Sequence, residues 1–454
     1  MNFKNIEKWS LKYELLRSYV RFIHNRIFYK KLCVTGLENI PKDKPVFFAP
    51  NHQNALMDAL IILCSVKKQP VFVARSDIFK NPIIARILIF LKILPAYRIR
   101  DGKENLKKNE ELFNVSVKVL ENKNILTLFP ETTHIDKRRL RILKKGVQRI
   151  VFQTEEANDF KLETQIVPTG IYYSNYWNFR STIQLNFGKP IPVTKYKDLY
   201  LENEQKAMLA LRDDMTQGLI PQMIHIKTEE YYDLYEQLRE IYHKDMLETL
   251  TLPANQNNKF IADKKLIDAL DMELENKPES IKDLNLKVSE YISGIKQFDI
   301  RDWVLRENKG WPIIILKSLM LLLLSPIFIF GAINNIIPYL LPSLITNKLK
   351  DRQFTTSITF VFGMIFFPVF YLIQSILFLV FIEPNWLTLV YLISLPITGL
   401  MAFSLHRYYI KLSAQWVFLL NRKKEKLIKL TKLRKEITSI VDTIINSKLN
   451  IKEQ

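Results

Sequence analysis

Cysteine is scarce: the chain has two, Cys33 and Cys64, both in apolar settings. Two are too few for a disulfide framework and lack the spacing of zinc ligands, so a reduced, cytosolic chain is expected. His24, His225, His243 and His406 are scattered without ligand spacing, and no metal is expected. No glycine-rich nucleotide loop occurs. Eleven glycines in 454 residues exclude collagen-like or Gly-rich disordered material. A secretory signal is missing as well. Between Met1 and Lys31, Lys12, Glu14, Arg17, Arg21 and Arg26 interrupt every apolar stretch, so the folded part is expected to stay on the cytoplasmic side. Acidic charge is in deficit too, giving a net charge of +20. Such an excess suits nucleic acid, anionic lipid or phosphorylated substrates.

Long uncharged runs decide for lipid and against nucleic acid. Residues 318–347, 354–382 and 386–405 contain no Asp, Glu, Lys or Arg, and about 20 apolar residues suffice to cross a bilayer. The last two runs are separated only by Glu383, Pro384 and Asn385, which reads as a helical hairpin with a polar tip. Lys348, Lys350 and Arg352 precede it, and His406, Arg407 and Lys411 follow it. Both basic flanks belong in the cytoplasm and the tip outside. An integral protein of an inner membrane, with a cytoplasmic catalytic domain, is the expectation. The first run, broken by Pro326, Pro338 and Pro342, is expected to be re-entrant or a bent pair of half-helices; the alternative is three full spans.

Five regions follow. Residues 9–30 within segment 1–30 read as an amphipathic helix, with Leu11, Leu15, Tyr19, Phe22 and Ile23 on one side and Arg17, Arg21, His24 and Arg26 on the other. It either lies in the headgroup layer or packs on its own domain. Residues 31–195 alternate short β-branched runs with helical stretches. This predicts an α/β domain with a mixed, mostly parallel sheet flanked by helices, its last two strands antiparallel. Residues 196–310 are charged helical text, an insert or linker of unassigned role. Residues 311–410 form the transmembrane or re-entrant region. Residues 411–454 read as a basic amphipathic helix on anionic lipid.

Chemistry concentrates in 31–195. In Ala49-Pro50-Asn51-His52-Gln53-Asn54-Ala55-Leu56-Met57-Asp58, a histidine follows a strand and a carboxylate opens the next helix. A lone histidine is more often structural. A strand terminus, however, is where α/β domains place their chemistry, and a carboxylate behind an imidazole fixes its tautomer and stabilises the imidazolium. Such a base can take a proton from an attacking hydroxyl. Arg98 and Arg100, two apart on a strand, point the same way and can grip one phosphate; a solvated basic edge is the equal alternative. Glu131 closes another strand in Phe129-Pro130-Glu131-Thr132-Thr133-His134, placed to orient Arg98 or Arg100 or to bind a hydroxyl. Lys144 and Lys145 precede a helix start at Gly146, which favours an anion. Ile166–Ile171 is expected to line the site.

The order and spacing of these boxes resemble the glycerolipid acyltransferase family, which includes glycerol-3-phosphate and lysophosphatidate acyltransferases. The resemblance runs from Val34–Pro41 through the Asn51-His52…Asp58, Pro95–Arg98 and Phe129–Glu131 boxes to Val167-Pro168. It implies acyl transfer from acyl-CoA or acyl carrier protein, as co-substrate without further cofactor, to a glycerol hydroxyl. His52 and Asp58 would be catalytic; Arg98, Arg100, Glu131, Thr132, His134 and Lys144 would bind substrate. The sequence departs from the common pattern in two boxes. Five residues, not four, separate His52 from Asp58, and Thr132-Thr133-His134 replaces the usual Gly-Thr-Arg. Both changes look more like the branch with fungal glycerol-3-phosphate and dihydroxyacetone-phosphate acyltransferases. The extra residue would turn Asp58 about 100° further round an ideal helix, unless the preceding turn absorbs it. Glycerol 3-phosphate is the expected acceptor; a lyso-lipid is the alternative. A third reading is a non-catalytic scaffold that binds anionic lipid.

Overall fold

The computed structural model describes residues 3–97, 109–132, 137–307, 309–349, 351–382 and 386–451. The chain forms two compact units, Met1–His225 with Leu349–Phe360, and Ile226–Lys348 with Val361–Gln454.

The first unit is built on strands β1 (Lys31–Thr35), β2 (Val46–Pro50), β3 (Val71–Arg75), β4 (Ile93–Ala96), β5 (Ile125–Leu128), β6 (Gln165–Tyr173), β7 (Thr182–Phe187) and β8 (Ile191–Pro192). Their order is β1-β7-β6-β2-β5-β3-β4, with β8 also on β6. Pairings are parallel except β6 with β7 and β6 with β8. The mixed sheet and its antiparallel pair agree with the sequence reading. Helices α1 (Leu11–Phe22), α2 (Ala55–Ser65), α3 (Pro82–Phe90), α4 (Asn109–Glu121) and α5 (Gly146–Glu156) connect or flank the strands. Every residue of β2 and β6 is buried, as parallel strands covered on both faces require.

Two more helices follow, α6 (Lys197–Glu202) and α7 (Glu204–Leu219). The sequence reading placed them in the insert beyond 195. Ala207, Met208, Leu211 and Met215 of α7 instead join Phe47, Val151 and Ile166 in the core of this unit. Gly170 of β6 marks where the next segment passes: a Cβ there would lie 1.9 Å from the Gln222 carbonyl oxygen. Pro168 likewise meets Gly218. These residues of the Ile166–Ile171 stretch thus pack against α7 and residue 222, not toward the site.

Helix α1 packs on the domain through Tyr13, Arg17 and Val20. Arg17 is buried and donates to the carbonyls of Lys67 and Lys68 (2.9 and 2.5 Å) just past the end of α2. His24 is also buried, and burial pulls its imidazole down to about 4. The apolar stripe Leu11, Leu15, Tyr19 and Phe22 is exposed, as are Ile83, Ile84, Ile87 and Phe90 of α3. Arg17 and His24 are therefore not on an outward cationic face. The outward side carries this apolar stripe together with Lys12 and Ser18.

The second unit contains α8 (Tyr232–Ile241), α9 (His243–Thr249), α10 (Gln256–Asn276), α11 (Pro278–Gln297), α12 (Asp302–Glu307), α13 (Trp311–Leu323) and α14 (Ser325–Thr346). Helix α15 (Thr355–Phe381) begins in the first unit; α16 (Trp386–Asn421) and α17 (Glu425–Ile451) complete the second. Three segments, Ser325–Thr346, Arg352–Phe381 and Trp386–Asn421, are long and apolar enough to cross a membrane. The first apolar run is divided between two helices: α13 ends at Leu323 and α14 begins at Ser325. Gly331 of α14 lets α16 approach closely, since a Cβ there would sit 2.2 Å from the Thr398 carbonyl oxygen.

Helix α17 does not have its apolar side available to lipid. Leu427, Leu430, Leu433, Ile437 and Val441 are buried. Leu430 packs on Gly294 of α11, and Arg434 bonds Asp302 (2.7 Å). Insert and C-terminal helix thus form one helical body. Arg239 and Asp263 form a buried ion pair in it, 2.6 Å apart and 1% and 0% exposed. Removing one member of a buried pair takes the bonded counter-charge from the other. Arg239→Ala should cost about 3–5 kcal/mol; denaturant unfolding of the purified protein followed by circular dichroism measures it, and a loss below about 1 kcal/mol contradicts this account.

Candidate active site

Parallel strands β2 and β5 are neighbours and end at the same edge of the sheet. Beyond β2, the Asn51 side chain extends the ladder to β6. It accepts from the Ile171 amide (2.6 Å) and donates to the Ile171 carbonyl (3.2 Å). The next residue, His52, is thereby held at the carboxyl edge of the sheet. Its ring stacks on Phe129, which follows β5, with centroids 4.3 Å apart.

Asp58 comes from the first turn of α2 and is fully buried. Its Oδ2 accepts from His52 Nδ1 (2.8 Å) and from the backbone amides of Gln53 and Asn54 (both 2.7 Å). Its Oδ1 accepts from the Tyr173 hydroxyl (2.6 Å). Four donors thus converge on one carboxylate. Because a carboxylate is an acceptor, the His52 proton sits on Nδ1 and Nε2 is the basic nitrogen. The extra residue of the spacer is absorbed at the entry to the helix. Asn54 has φ −142° and ψ 53°, and Ala55 adopts φ +41°, in the left-handed region that a side chain disfavours. The Asp58 contact is consequently direct.

Tyrosine 173, the last residue of β6, was not singled out by the sequence; nor were Tyr176 and Arg138. Burial first, and the Asp58 charge second, hold the Tyr173 hydroxyl well above its ordinary value, so it remains a donor. Tyr176 donates to Gln53 Oε1 (2.8 Å). The Arg138 guanidinium, itself buried, lies over the rings of Tyr172 and Tyr176, 5.1 and 4.9 Å from their centroids. The available signal was the Tyr172-Tyr173 pair ending an otherwise apolar strand, where a hydroxyl must find a buried partner. The first residues of α15 belong here as well: Thr356 donates to the Tyr176 carbonyl (2.7 Å).

A histidine–carboxylate pair at the carboxyl edge of an α/β sheet can serve transfer to a hydroxyl, and comparison with known proteins decides the family. Residues 31–172 match the family model described as Acyltransferase. These residues form an Acyltransferase domain, consistent with the glycerolipid acyltransferases. A curated relative, 1-acyl-sn-glycerol-3-phosphate acyltransferase of Borreliella burgdorferi, is 26% identical over 153 residues, covering 34% of this chain and 56% of that protein. Glycerol-3-phosphate O-acyltransferase 1 of Saccharomyces cerevisiae is 24% identical over 282 residues, covering 57% of this chain and 36% of that protein. The chain thus spans about half or less of the length of these relatives. The crystal structure of the 1-acyl-sn-glycerophosphate acyltransferase from Thermotoga maritima is similar at 19% identity and a TM-score of 0.32. It covers 45% of this chain and 78% of that one, too loose a likeness to inform the site.

Within the acyltransferase domain the structure brings His52, Asp58 and Glu131 together. Glu131 is 2% exposed. Its Oε1 accepts the His52 amide (2.8 Å) and its Oε2 accepts the Arg141 amide (2.9 Å). It ties the loop after β2 to the loop after β5, a bracing role the sequence did not suggest. Thr132 follows in the left-handed region, φ +61°, and is exposed. Lys144 is exposed, with its amide on the Pro130 carbonyl (2.8 Å). Arg98, Arg100 and His134 lie outside the described residues.

Burial pushes the Glu131 carboxyl up to about 7, against the lowering by its two backbone donors. The folded state therefore holds this proton to higher pH than the unfolded chain does. Stability should be greatest below about pH 4.5 for this group and fall as pH rises to about 7, by about 3 kcal/mol in all. Apparent Tm of wild type and Glu131→Gln across that window checks it: the variant should lack this component, and parallel curves would refute the assignment.

Proposed function

We propose that the protein transfers a fatty acyl chain from a thioester to a hydroxyl of glycerol 3-phosphate. The observation that carries this is the 2.8 Å contact between His52 Nδ1 and Asp58, which makes Nε2 the base. In the proposed step the acceptor hydroxyl oxygen attacks the thioester carbonyl carbon while His52 Nε2 takes its proton. The tetrahedral intermediate collapses, the C–S bond breaks, and the thiolate leaves and takes up that proton. The imidazolium formed meanwhile is balanced by Asp58. Phosphate binding would fall to Arg98, Arg100 and Lys144, with Thr132 and His134 beside the acceptor and Glu131 holding the loops. The five-residue spacer and the similarity to the yeast glycerol-3-phosphate enzyme favour glycerol 3-phosphate. The similarity to the Borreliella enzyme makes lysophosphatidate the acceptor to test beside it.

Purified protein in detergent is to be offered acyl-CoA and acyl carrier protein donors, each with glycerol 3-phosphate and with lysophosphatidate. Transfer to glycerol 3-phosphate is the expected result. Transfer to lysophosphatidate alone would replace this acceptor, and no transfer to either would leave an anionic-lipid-binding scaffold.

We further propose that the catalytic domain and the basic loop before α15 share the cytoplasmic face of the membrane. The support is that residues 349–360 belong to the same compact unit as the domain. Single cysteines at positions 67 and 351 should label from the same side of sealed vesicles; labelling from opposite sides would overturn this.

A further inference from the structure

A basic groove lies at the elbow between α16 and α17. It is open, with a volume of about 650 Å³. Phe418 and Ile428 give it an apolar wall, and Arg422, Lys423, Lys432 and Lys435 line the rest. Among the described residues, none of these four cations is ion-paired, and no carboxylate lines the groove. Their neighbours behave differently. Lys429 pairs with Glu290 (3.0 Å), and Glu436 pairs with Lys287 (3.1 Å). The helix thus compensates its charges on the side facing α11 and leaves four of one sign together in the groove. Four like charges around one concavity repel, and an anion relieves them.

The position favours a lipid anion. Exposed apolar side chains run along α13 and the last part of α16: Trp311, Leu316, Leu319, Leu323, Tyr409, Ile410 and, 76% exposed, Leu420. Arg407 and Lys411 flank Tyr409 and Ile410, and a denser basic cluster begins two residues after Leu420 at Arg422. Apolar surface giving way to basic charge, with Trp and Tyr near the change, is the pattern of a membrane–water boundary. We infer that the groove binds the phosphate headgroup of an anionic phospholipid, its four cations meeting the phosphate and its apolar wall the first part of the lipid. This stands independently of the proposed acyl transfer.

Delipidated full-length protein in neutral detergent is to be mixed with micelles of equal phosphatidylglycerol and phosphatidylcholine. The lipid retained after gel filtration is then quantified by mass spectrometry. Wild type should retain about fivefold or more phosphatidylglycerol over phosphatidylcholine. R422Q/K423Q/K432Q/K435Q should bring the ratio close to one. K42Q/K67Q/K80Q/K118Q, four exposed lysines of the acyltransferase domain, should leave it unchanged, and so should excess inorganic phosphate. If the quadruple groove variant does not elute as wild type, R422Q/K423Q and K432Q/K435Q replace it, each expected to lose part of the preference. Equal retention of both lipids, an unchanged ratio in the groove variants, or loss of the ratio in the control variant would overturn the inference. Displacement by inorganic phosphate would do so as well, in favour of a free-anion site.

Discussion

His52→Ala should reduce acyl transfer by about a thousandfold while leaving the fold intact. A positioned base contributes about 10²–10⁴-fold to such reactions, and no other imidazole among the described residues touches Asp58. The loop around His52 is held mainly by other groups. Asn51 binds β6, Asp58 binds the amides of Gln53 and Asn54, and Glu131 takes the backbone amide of residue 52, which alanine retains. Apparent Tm should therefore move little. Turnover with saturating donor and acceptor is the measurement. A variant that keeps a tenth or more of wild-type activity would remove His52 from the base role.

Asp58→Asn should be nearly as damaging, for a different reason. An amide oxygen in the place of Oδ2 can still accept from His52, Gln53 and Asn54. The amide nitrogen can donate to the Tyr173 oxygen, whose hydroxyl turns away. The hydrogen-bond shape survives and only the charge is lost. The imidazolium formed as the acceptor oxygen attacks then lacks its counter-charge, and kcat should fall by about 10²–10⁴-fold with little change in KM. Asp58→Ala is the companion. It leaves three buried donors without an acceptor, so it should lose stability as well as turnover. Comparable activity in the asparagine variant and wild type would show that Asp58 works through shape alone.

Much of this was legible beforehand, and the misses have physical reasons. The strand–histidine–helix order could be read because β2, β5 and β6 are continuous apolar runs bounded by polar breaks, a local pattern. Tyr173 could not be read that way: it lies 115 residues from Asp58, and only the β2–β6 pairing makes them meet. Glu131 was read as a group reaching for arginine or substrate. Its two oxygens take backbone amides, and backbone donors leave no mark on a sequence. The orientation of α1 was missed because periodicity defines two faces without saying which turns inward. Arg17 turns inward because carbonyls of Lys67 and Lys68 await it. The span of α16 was underestimated because Arg407 and Lys411 suggested a boundary, whereas the helix runs on to Asn421.

Ala55 carries the remaining lesson. One residue in the left-handed region takes up the added length, and the carboxylate still arrives 2.8 Å from the imidazole. What the chemistry holds invariant is a displacement between two atoms; the number of residues along the way is negotiable wherever a turn can change hand.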